Sequence, residues 1–103
     1  MITAIVRFKL PKPVSRERAQ ELFMGTAPKY REVSGRIRKY YLFSREGMTA
    51  GGAYLWNSRQ DAERLYTAEW REFINQTYGA DPQVEYFDTP VVVDNIRGEI
   101  AKD

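Results

Sequence analysis

Thr49-Ala50-Gly51-Gly52-Ala53-Tyr54-Leu55-Trp56 is the stretch on which the fold turns. It reads as a strand, with Tyr54 and Trp56 two apart and therefore on one face. Gly51-Gly52 opens a strand and no helix follows directly, so it is not a phosphate cradle. It marks a bulge or a close approach of backbones. Just upstream, Arg36 to Ser44 is another strand, rich in Ile, Tyr and Phe, and Arg45-Glu46-Gly47 joins the two as a hairpin. Just downstream, Ser58-Arg59-Gln60-Asp61 has the form of a capping box, with Asp in place of the usual Glu. Ala62, Leu65, Tyr66, Trp70, Phe73, Ile74 and Tyr78 continue as an apolar helical stripe that ends at Gly79. Thr67 is a second candidate N-cap, so this segment is either one helix or two.

Further out, Ile2 to Leu10 alternates. Ile2, Ala4, Val6, Phe8 and Leu10 fall on one face, and Thr3, Ile5, Arg7 and Lys9 on the other. Pro11 and Pro13 end this strand. Ser15 then caps a helix, with Glu17 in its first turn and Ala19, Leu22, Phe23, Ala27 and Tyr30 at helical spacing. Pro28 predicts a kink or break there, because it cannot donate to the carbonyl of Met24. Ser34-Gly35 is a turn. Val84 to Phe87 is a fourth strand and Pro90 to Asn95 a short fifth. Gly98 to Asp103 is expected to fray. One domain thus spans residues 1–103, with its ordered core over about 2–95.

The order β-α-β-β-α-β is the split, ferredoxin-like α+β arrangement: a four-stranded antiparallel sheet with both helices on one face. The middle strands carry Tyr, Leu, Phe or Trp on both sides, so the other face needs a cover too. A second copy of the sheet is the simplest one. A homodimer, closed as a dimeric α/β barrel, is the expectation.

Composition narrows the chemistry. Hydrophobic residues make up 43% and charged residues 29%, a globular balance, and the net charge of +2 is too small to imply nucleic acid. Neither cysteine nor histidine occurs. That excludes disulfides, thiolate sites, imidazole general bases, and zinc or haem sites built on those ligands. No EF-hand or dinucleotide motif is present, so no cofactor and no metal are expected. Met1 to Arg7 does not read as a signal peptide and no apolar run approaches a membrane span. A cytoplasmic protein without membrane partners is the expectation. Tyr40, Tyr41 and Phe43 beside Arg36, Arg38 and Lys39 invite comparison with RNA-binding sheets, but the Gly-aromatic signature is missing. The basic cluster reads as the guard of an edge strand.

Gly51-Gly52-Ala53-Tyr54-Leu55-Trp56, with Ser58 opening a helix and Trp70 beyond it, resembles the YdhR-like monooxygenases of the antibiotic-biosynthesis-monooxygenase superfamily of dimeric α/β barrels. The resemblance extends through Val33-Ser34-Gly35 upstream and Tyr86-Phe87-Asp88 and Pro90 downstream, covering about Ile2 to Asn95. It implies a cofactor-independent monooxygenase acting on a small phenol- or anthrone-like substrate, whose own anion reacts with O₂ in a pocket of each subunit. Where relatives place His or Gln on the first strand, this chain has Arg7 or Ile5. The rival expectation is a ligand-binding or stress-related protein on the same scaffold that performs no chemistry.

The candidate site follows. Tyr54 and Trp56 on their strand, and Trp70 and Phe73 on the second helix, converge if that strand face looks at the helices. They would bind the substrate ring, with the indole N–H groups as donors. The bland reading is that all four rings are core. Arg7 is the candidate catalytic residue, a cation that stabilises the substrate anion without acting as a base. Its bland reading is a cross-strand ion pair with Glu85.

Overall fold

The computed structural model describes residues 1–103. In chain order it contains β1 (Ile2–Lys9), α1 (Arg16–Tyr30), β2 (Arg36–Phe43), β3 (Thr49–Trp56), α2 (Arg59–Leu65), α3 (Ala68–Tyr78), β4 (Gln83–Asp88), β5 (Val91–Asp94) and β6 (Glu99–Lys102). The first seven form the ferredoxin-like α+β unit. Its sheet runs in the order β2-β3-β1-β4, with every pairing antiparallel.

Local chemistry sets the helix ends. Ser15 Oγ accepts the Arg18 N–H at 3.1 Å, and Ser58 Oγ accepts the Asp61 N–H at 3.1 Å while donating to its carboxylate at 2.9 Å. Thr67 Oγ1 accepts the Trp70 N–H at 3.2 Å, so Thr67 does begin a fresh helix. Gly79 closes α3 at φ 77°, a left-handed geometry that suits glycine. Pro28 lies in the last turn of α1, and the helix ends at Tyr30 without an internal break. Its missing N–H leaves the Met24 carbonyl without its helical donor, and the helix closes two residues later.

The helix side of the sheet is the core. Ala4, Val6 and Phe8 of β1 and Ala50, Tyr54 and Trp56 of β3 are buried there against Ala62, Tyr66, Trp70, Ile74 and Tyr78. A Cβ on Gly51 would stand 1.9 Å from the Val6 carbonyl oxygen, so this glycine marks a close approach of β1 and β3. The opposite side has only a partial cover. The expected frayed tail, Gly98 to Asp103, instead contains β6, which pairs with β5 as a separate hairpin. Asp94 Oδ1 accepts the N–H groups of Ile96 and Arg97, each at 3.1 Å, and builds that turn. No helix is long and apolar enough to cross a membrane.

Candidate functional site

Strand parity separates the sequence candidates. Ala4 pairs with Tyr54 and Val6 with Gly52 on the helix side, whereas Arg7 pairs with Gly51 and Gln83 on the other. Arg7 therefore lies across the sheet from Tyr54, Trp56, Trp70 and Phe73, and cannot reach a ring held among them. Its Nη2 sits 3.8 Å from Glu85 Oε1, with both side chains more than half exposed. β1 and β4 are direct neighbours, which brings the two charges together.

The four aromatics divide as well. Trp56 and Trp70 are buried, and their indole N–H groups are already used. Trp56 donates to the Tyr66 hydroxyl and Trp70 to the Tyr30 hydroxyl, each at 3.1 Å. Neither offers a free donor, so both form the floor of the core rather than a contact surface. Tyr54 and Phe73 instead line a small cavity of about 10 Å³ between α1, α3 and the sheet, shared with Phe23, Thr26, Tyr30 and Lys39, among others. That volume holds about one water.

Lys39 is the residue that sequence reasoning misplaced. β2 is the sheet edge, as expected, but its register shifts between Arg36 and Arg38. The irregularity puts Arg36 opposite Trp56 and Lys39 opposite Tyr54, both on the helix side. Arg36 donates to the Tyr30 backbone carbonyl. Lys39 runs inward among three tyrosines. Its Nζ lies 3.5, 4.0 and 4.5 Å from the ring centroids of Tyr30, Tyr41 and Tyr54. A Cβ on Gly52 would come within 3.3 Å of Lys39 Cε, so the missing side chain leaves room for the stem. Burial, then the charges of Arg36 and Lys29, push the Lys39 amine down to about 7.

The hydroxyls around this cage are ordered. Thr26 Oγ1 donates to the Phe23 carbonyl at 3.1 Å, so the Tyr41 hydroxyl at 2.8 Å is the donor to Thr26. Burial raises the phenols of Tyr30, Tyr41, Tyr54 and Tyr78, the last to about 12, so these groups stay neutral at ordinary pH. Lys29 covers the outer side of Phe73, with Nζ 3.6 Å from the ring centroid.

A second, roomier space of about 390 Å³ lies on the opposite face, between the sheet and the β5–β6 hairpin. Tyr40, Leu55, Val93, Arg38, Asp94 and Arg97 are among its walls. Its arginines are committed, Arg38 to Asp94 at 3.3 Å and Arg97 to Glu99 at 3.7 Å.

No family model matches the chain, and no curated protein matches it in sequence. Solved structures do match. The monooxygenase from the gene ActVA-Orf6 of Streptomyces coelicolor, in complex with nanaomycin D, superposes with a TM-score of 0.65 at 23% identity, over 85% of this chain and 86% of that one. SnoaB, a cofactor-independent oxygenase from Streptomyces nogalater, gives 0.62 at 15% identity over 85% and 91%. Rv0793 from Mycobacterium tuberculosis gives 0.60 at 14% identity over 86% and 95%. At these identities, what the chain shares with its neighbours is the fold.

Proposed function

We propose that this chain is a cofactor-independent monooxygenase that admits a small phenol- or anthrone-like aromatic to the cavity between α1, α3 and the sheet. The observation that carries the reading is the cavity itself: aromatic walls from Tyr30, Tyr54 and Phe73 around a cation that no carboxylate neutralises. Such a wall stacks a flat ring, and the positive charge stabilises its anion. Two neighbours of this fold, ActVA-Orf6 and SnoaB, are described as a monooxygenase and a cofactor-independent oxygenase, which supports the same reading.

The reaction balances with O₂ as the oxidant. A ring CH₂ loses two hydrogens and gains one oxygen atom to become C=O, and the second oxygen atom leaves with the two hydrogens as water. Tyr54 and Phe73 flank the ring, while Trp56 and Trp70 pack in the core away from the cavity wall. Entry requires movement, because the closed cavity holds only about 10 Å³. α1 buries only Ala19 and Tyr30, so it is the lightly seated wall, and Lys29 with Phe73 is the displaceable cover. Incubation with an anthrone in air is expected to consume one O₂ per quinone formed, with no added metal or flavin. No oxygen uptake over a panel of anthrones and naphthols would remove the reading.

The dimer belongs to the same proposal. The face opposite the helices exposes Ile37, Tyr40, Leu42 and Phe87, a patch that a second copy would cover. A second reading, ligand binding without chemistry, is favoured by the 390 Å³ space beneath the hairpin. Its cations are already paired, so a ligand there meets no free group that would ionise it.

A further inference from the structure

We infer that the ε-amine of Lys39 is the base that takes the phenolic proton of a ring entering the helix-side cavity, and that it remains beside the anion as its counter-ion. This rests on the reading of that cavity as the substrate site. The step balances: ArOH and the neutral amine give ArO⁻ and the ammonium, with no proton passed to solvent.

Three observations converge on Lys39. The register shift in β2 and the bare Gly52 deliver its stem to the interior, where three tyrosine rings hold the amine at 3.5–4.5 Å. No carboxylate is among the groups acting on it. The charges that bear on it are Arg36 of its own strand and Lys29 of α1. The titratable groups facing it are the phenols of Tyr41 on β2, Tyr30 on α1 and Tyr54 on β3, with Tyr78 of α3 on the same cavity wall. All four phenols stay protonated while the amine titrates, so among these the amine is the group that changes state. Ring faces favour the ammonium, while burial and the two cations favour the free amine. Burial and those two charges bring the amine down to about 7, where either form is accessible. In a chain without His or Cys, Lys39 is the base that the cavity holds.

The test uses 2-naphthol, whose anion has its own absorption, with the wild type, Lys39→Met and Lys39→Arg at pH 8. The wild type is expected to bind it as naphtholate and to release almost no proton to a weakly buffered solution, because the amine keeps it. Lys39→Arg, which holds charge but cannot accept a proton, is expected to release about one proton per ligand bound. Lys39→Met should bind neutral naphthol. Labelled lysine Cε resonances of the unmodified chain should include one with a midpoint near 7, a readout that needs no variant to fold.

The inference fails if the wild type leaves naphthol neutral or does not bind it, if it releases a full proton, if Lys39→Met also yields naphtholate, or if every lysine titrates near its ordinary value. An oxygen electrode run in parallel separates the two ideas. Naphtholate formation without oxygen uptake on any substrate keeps Lys39 as the base and removes the oxygenase. Oxygen uptake with an unchanged pH profile in Lys39→Met does the reverse.

Discussion

On the helix side of the sheet, Ala4, Val6, Tyr54 and Trp56 are at most 2% exposed; on the other side, Tyr40, Leu42 and Phe87 are 55%, 41% and 48% exposed. The treatment of charge differs in the same way. Arg7 and Arg38 on the open side each face a carboxylate, while Lys39 on the closed side faces three rings. A paired guanidinium in water is electrostatically quiet. An amine half-buried among rings without a counter-ion is costly to charge, and a ligand anion can relieve that cost. In our proposal, chemistry belongs to the closed side and association to the open one.

The largest expected effect breaks the closed side. Trp56→Ala should destabilise by about 3–5 kcal/mol, because it empties a buried indole and orphans the Tyr66 hydroxyl. Denaturant unfolding checks this, and a loss below about 1 kcal/mol would mean that the ring is not core. The open side is tested by association. The wild type should sediment at twice the 12.0 kDa chain mass, and Leu42→Asp should return it to that single mass with its circular dichroism unchanged. A wild type that sediments as a monomer at micromolar concentration removes the dimer.

Next in size is the pH dependence of stability, where the closed side should reveal Lys39. Its native pKa, about 7, lies below the unfolded value of 10.5. The unfolded chain then binds more protons between these limits, so stability rises with pH across that window. The buried tyrosines act oppositely. Burial lifts Tyr54, Tyr66 and Tyr78 above the ordinary 10, so their contribution is present below pH 10 and is lost above it. Melting temperature should therefore climb from pH 7 toward 10 and then fall. Lys39→Met should flatten the rising limb and stabilise the fold at pH 6 by about 1–2 kcal/mol. A rising limb unchanged in that variant would assign it to another group.

Much of this was legible in the residues. Alternation in Ile2 to Leu10 places Arg7 opposite Val6, and caps at Ser15, Ser58 and Thr67 mark where helices begin. The same alternation sets Arg7 with Thr3 and Ile5, apart from Ala4, Val6 and Phe8, and it is the second set that faces the helices. Strand centrality protects the backbone pairing, yet each strand still has two faces, and Arg7 lies on the open one. Lys39 escaped notice because a run of basic residues on an edge strand reads as a guard. The signal was its parity with Tyr41 and Phe43, two rings of the closed side, and the register shift at Ile37 hid how the basic run divides. β6 escaped because all four of its residues are exposed, so no burial pattern announces it. Only the Asp94 turn and Gly98 hint at a hairpin.

The smallest expected effect belongs to Arg7. If it were the anion clamp, Arg7→Met would slow turnover most at neutral pH, and raising the pH toward the phenol's own pKa would recover the rate. Its position predicts neither. An exposed pair with N···O at 3.8 Å contributes about 0–1 kcal/mol. Arg7→Met, Glu85→Gln and the double variant should show a coupling below about 0.5 kcal/mol, weakened further by salt. Oxygen uptake should match the wild type at every pH. The cycle also reads the open face. If a second copy covers Arg7 and Glu85, their pair loses water and the coupling must grow with protein concentration as dimer replaces monomer. A coupling that stays small at all concentrations would leave this pair outside any interface. A neutral-pH rate loss rescued by alkali would return Arg7 to the substrate anion and undo the assignment of chemistry to the closed side.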